Sequence, residues 1–92
     1  MNEQAKIRLL RKLVKEYANY LDLWHKATVR YDKFSEMIAV TFYNEIETIN
    51  EHGIKVTRRP FTRREFGISY LDERIKSYRN KINYAKSKKD AV

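Results

Sequence analysis

Only three residues in this chain break a helix strongly, Gly53, Pro60 and Gly67, and none of them lies in the first 52 positions. A helix-interior glycine costs about 1 kcal/mol relative to alanine and a proline about 3 kcal/mol, so their absence from residues 1–52 points to long helices.

Apolar spacing supports that expectation in three places. Ile7, Leu10, Val14, Tyr17, Leu21, Trp24, Thr28 and Tyr31 follow a seven-residue repeat, and Leu13, Tyr20 and Ala27 widen it. A stripe of that width marks a core-facing helix over about residues 3–30. Trp24 is expected to anchor the core, and lone His25 carries no expected ligand role.

Next, Phe34, Ile38, Phe42, Ile46 and Ile49 share a helical face opposite Asp32, Glu36, Glu47 and Glu51, which gives a second helix over about 33–52. The β-branched run from Ile38 to Phe42 also fits a strand, but the three-four spacing persists longer. Asp32 or Ser35 caps this helix if the chain bends after Thr28. The alternative is one helix over 3–52, which would need another subunit to cover it. Gly53 in the left-handed conformation, with Ile54 against Ile49, completes a Schellman stop.

Last, Thr62 and Glu65 have capping-box spacing and Phe61 and Phe66 that of a hydrophobic staple. They open a third helix over about 62–88, with Ile68, Leu71, Ile75, Tyr78, Ile82 and Ala85 as its seam. The expected fold is all-α, a small bundle of three amphipathic helices in a single domain spanning 1–92, with residues 83–92 as a fraying tail.

Charge carries the functional reading. The net +8 is made of +4 over residues 1–31, −4 over 32–53 and +8 over 54–92. Arg58, Arg59, Arg63 and Arg64 are expected to crowd around one helix start. Cations are mildly unfavourable there, whereas a phosphate meets free backbone amides and guanidinium forks together. Arg74, Arg79, Lys81 and Lys86 extend the track, and Tyr70 and Tyr84 on the outer helical face offer rings for base stacking. Glu45, at the edge of an apolar face, is expected to pair with a basic residue of a neighbouring helix.

No cysteine is present, which excludes disulfides and thiolate chemistry, and no glycine-rich phosphate loop or histidine pair at ligand spacing occurs. No catalytic residue, metal site or cofactor is expected. The Phe66–Ser69 step does not fit a helix-turn-helix, because Arg63 stands where that motif needs a small residue and Glu73 where it needs an apolar one. Residues 1–4 lack the start of a secretory signal and no apolar window is long enough to span a membrane, so a cytoplasmic protein is expected. The reading is a basic module that binds nucleic acid through phosphates as an accessory or regulatory factor. The alternative is a protein-binding module, such as a phage or mobile-element inhibitor of a host nucleic-acid-handling complex. Dimerisation is expected through the wide stripe of the first helix.

Overall fold

The computed structural model describes residues 2–21 and 26–90, so the expectations for Trp24 and His25 lie outside the described residues. It shows an α+β fold rather than a three-helix bundle. Two helices, α1 (Glu3–Ala18) and α2 (Leu71–Asp90), flank five strands: β1 (Lys26–Asp32), β2 (Met37–Tyr43), β3 (Ile46–Ile49), β4 (Lys55–Arg58) and β5 (Phe61–Gly67). A 3-10 turn, Ile68–Tyr70, leads from β5 into α2.

The first helix forms as its seam dictates but ends early. Asn2 caps it by accepting a hydrogen bond from the Ala5 amide at 2.8 Å, and Ile7, Leu10, Leu13, Val14 and Ala18 are buried. Three tightening bonds, from the amides of Asn19, Tyr20 and Leu21 to the carbonyls of Glu16, Tyr17 and Ala18, close its last turn. Thr28 and Tyr31 continue the helical spacing in sequence, yet both belong to β1, where two-residue alternation sends them to opposite faces.

The second expected helix is replaced by antiparallel sheet. β1, β2 and β5 form a three-stranded sheet in that order, with Val29 opposite Val40 and Val40 opposite Arg64. Asp32, expected to cap a helix, instead builds the β1–β2 turn. Its carboxylate accepts the Phe34 amide and the Ser35 hydroxyl, each at 3.0 Å, and Glu36 completes the turn at φ 55°. These bonds hold the Asp32 carboxyl below its ordinary range.

β3 and β4 pair in a register that continues the β2–β5 pairing, and the Asn44 amide still donates to the Pro60 carbonyl at 3.1 Å across the break. The ribbon is interrupted where Pro60 has no amide to donate. At its tip the Asn50 side chain accepts the amides of His52 and Ile54, both at 2.9 Å, and Gly53 adopts φ 76°. Gly53 does take the left-handed conformation, but in a hairpin turn and not at a helix stop. The β3–β4 hairpin extends as an arm with Ile46, Ile49 and Ile54 exposed.

Both helices cover one face of the three-stranded sheet. Val29, Ile38, Val40 and Phe66 from the strands meet Ile7, Leu10, Leu13 and Val14 of α1 and Leu71, Ile75, Tyr78 and Ile82 of α2 in a single core. The stripe of α1 from Ile7 to Val14 is therefore packed inside the molecule, while Tyr17 and Tyr20 stay partly exposed. The helices run parallel: Lys6 meets Asp72 at 2.8 Å near their N-termini and Lys86 meets Glu16 at 3.5 Å near their C-termini. No helix among the described residues is long and apolar enough to cross a membrane.

Candidate anion-binding flank between β5 and α2

Residues 61–67 form a strand, so the expected capping box and staple do not exist there. Thr62 and Glu65 point to opposite faces. Phe66 enters the core at 6% exposure, while Phe61 is 66% exposed on the other side. Alternation also divides the four arginines. Arg64 shares the helix-covered face with Val40, and Arg63 shares the bare outer face with Thr41. Arg58, paired with Ile46, and Arg59 fall on opposite sides of the ribbon in the same way. No helix start collects them.

What separates these cations further is whether a carboxylate reaches them. Arg63 meets Glu65 at 2.7 Å, and Arg59 meets Glu45 at 3.3 Å, with Lys26 at 3.7 Å from the same oxygen. Glu45 thus pairs with basic residues as expected, though with strand and ribbon partners. Lys86 is held by Glu16 of α1. Arg79 is exposed on the α1-facing flank of α2 and lines the same surface depression as Lys6 and Leu9.

Three of the expected residues do converge. Arg64 comes from β5, and Arg74 and Lys81 come from the adjoining side of α2, seven residues apart and so about 10.5 Å along the helix. The Arg74 guanidinium lies 5.4 Å from the centre of the Phe66 ring, and the Lys81 ammonium lies 5.0 Å from that of Tyr78 and 5.8 Å from that of Tyr17. Among the described residues, no carboxylate lies within 4 Å of any of the three.

Their mutual repulsion is visible in protonation. Burial pulls Lys81 below its ordinary value, and the charges of Arg64 and Arg74 push it further down. Burial raises the Tyr78 hydroxyl, and the same two arginines partly offset that rise. A group of cations whose neighbours disfavour charge, with no anion among the described residues to balance them, is suited to receive one.

Tyr70 and Tyr84 are both exposed but do not form a pair. Tyr70 lies in the 3-10 turn before α2, and Tyr84 stands near the other end of that helix. Near Tyr84, the last turns of α2 and the end of α1 enclose a cleft of about 440 Å³ that shares Lys81 with the cationic flank. Tyr17 and Tyr20, which line it, are seam residues of the first helix in sequence. Nothing in their spacing distinguishes a cleft wall from a core position. Comparison with family models, with curated proteins and with solved structures finds no match for this chain.

Proposed function

We propose that this protein binds nucleic acid through its phosphates, as an accessory or regulatory factor, with Arg64, Arg74 and Lys81 as the centre of the contact. The observation that carries this reading is the convergence of these three cations, from two separate elements, with no carboxylate among the described residues beside them. Phosphates entering the flank relieve like-charge repulsion and accept hydrogen bonds from the guanidinium and ammonium groups there. Arg59, Arg63 and Lys86 are already balanced by glutamates and contribute less. Arg58 and Arg79 extend the positive surface at longer range.

Binding titrations at several salt concentrations test the reading. With three phosphates neutralised at the flank, log affinity falls against log salt with a slope of about −2 on single strands and about −3 on duplex. Replacing Arg64, Arg74 and Lys81 together by alanine removes that slope. Retention of both slope and affinity in the folded triple variant overturns the assignment.

A protein-binding role is the second reading, and the arm supports it. Ile49 is 76% and Ile54 60% exposed on a hairpin outside the core, an apolar surface of the kind that partner proteins cover. Loss of nucleic-acid binding from the wild type would leave this reading in place.

A further inference from the structure

The cleft at the C-terminal ends of the two helices differs from the flank it adjoins. Its walls include Tyr17 from the end of α1, Tyr20 from the turn that follows it and Tyr84 from α2, together with Lys81, Lys88 and Lys89. Its volume, about 440 Å³, falls within the range of small-ligand sites. No acidic residue is among the described residues that line it.

Rings and ammonium groups interleave across this space. Lys88 lies 5.3 Å from the centre of the Tyr84 ring and Lys89 lies 5.7 Å from that of Tyr20, so a lysine from α2 reaches a ring in the turn that follows α1. Lys88 and Lys89 also sit in the last turn of α2, where cations offset the negative end of the helix dipole. That role accounts for the charges but not for the rings. Tyr84 keeps 65% of its surface exposed, and nothing in the core requires it.

We infer that the cleft holds one unpaired nucleotide of a single-stranded nucleic acid, its base stacked on Tyr84 and its phosphate directed toward Lys81 and the flank beyond. The inference rests on the phosphate-binding reading and adds a base-binding subsite to it. Aromatic rings stack with any base, which gives affinity without sequence preference. Lysine stems are long and flexible, so an ammonium that covers a ring swings to an incoming phosphate and releases the ring face to the base. A base inside a duplex is already stacked and paired, and cannot enter. The subsite therefore favours single strands over duplex of the same phosphate content, for DNA and RNA alike.

The test compares a short single-stranded oligonucleotide with an abasic strand of equal length and charge, by fluorescence anisotropy at fixed salt, for the wild type, Tyr84→Ala and Tyr84→Phe. The expected result is tighter wild-type binding to the base-containing strand. Tyr84→Ala lowers that affinity by about 5- to 150-fold, the range for losing one stacked base. Tyr84→Phe retains it, and both variants bind the abasic strand as the wild type does. Because Tyr84 is exposed, an unchanged denaturation midpoint checks that each variant is folded. Equal affinity for the two strands with no effect of Tyr84→Ala overturns the base subsite and leaves the phosphate contact standing. Absence of wild-type binding to either strand at about 50 mM salt overturns both.

Discussion

Arg63 and Arg64 are neighbours in the chain and opposites in the structure. Arg63 lies on the bare face of the sheet, where Glu65 on the same strand neutralises it at 2.7 Å. Arg59 and Lys26 are likewise balanced, both by Glu45. Arg64 lies on the helix-covered face, where its charge and that of Arg74 both act on Lys81. One peptide step thus separates a balanced surface from an unbalanced one. Net charge counts both arginines equally, but only the second leaves positive potential for a ligand to use.

The largest expected effect removes the layer on which both faces depend. Ile38 is fully buried in the central strand, and Ile38→Ala lowers stability by about 2–5 kcal/mol in chemical denaturation, a loss that affects both faces together. A smaller loss would mean that the sheet does not rest on this position.

The contrast itself is tested by single substitutions. Arg64→Ala flattens the salt dependence of nucleic-acid binding by about one unit of slope, whereas Arg63→Ala leaves it nearly unchanged. Equal flattening would show that alternation does not divide the two arginines functionally.

Stability separates the same pair in the other direction. Arg63→Ala gives up an exposed ion pair worth about 0.2–1 kcal/mol, a difference that shrinks at high salt, while Arg64→Ala breaks no such pair. A thermal melt series of both variants at low and high salt measures this. A larger loss for Arg64→Ala would place a carboxylate partner beside it.

The smallest effect is a pH dependence. Lys81 titrates in the folded protein below its ordinary 10.5, so between the folded value and 10.5 the unfolded chain holds more protons and stability rises with pH. Lys81→Gln removes the repulsion outright. The variant is therefore the more stable protein near neutral pH, and its advantage over the wild type fades as pH climbs through that window. A constant difference across the window would dissociate Lys81 from the two arginines.

Much of the helical structure was legible because each helix buries one side only. Ile7, Leu10 and Val14, and later Leu71, Ile75, Tyr78 and Ile82, show the spacing that a one-sided element must show. β2 hides its period for the opposite reason. Ile38 and Val40 face the core, but Met37, Ala39 and Tyr43 on the other face are also apolar or small, so Thr41 alone marks the alternation. The apparent face Phe34, Ile38, Phe42, Ile46 and Ile49 has no counterpart in space, since Phe34 stands fully exposed in a turn and Ile46 and Ile49 lie on opposite sides of the arm. Scarcity of glycine and proline misled as well, because the side chain of Asp32 builds the β1–β2 turn, which contains neither. At the site, Arg64, Arg74 and Lys81 were all candidates from sequence. Their separation from Arg59, Arg63 and Lys86 depends on strand alternation and on glutamates that only the fold brings near.

The unbroken register from the three-stranded sheet into the arm also bears on how such a chain can change length. Because β3 and β4 continue the pairing of β2 and β5, removing two residues from each side of the arm shortens it and leaves every inward and outward assignment below Asn44 and Pro60 as it was. Removing one residue from one side shifts the pairing and exchanges the two faces of that strand. The arm can therefore be lengthened or trimmed in symmetric steps as an adjustable spacer, while the part of the molecule that holds Arg64 against α2 keeps its geometry.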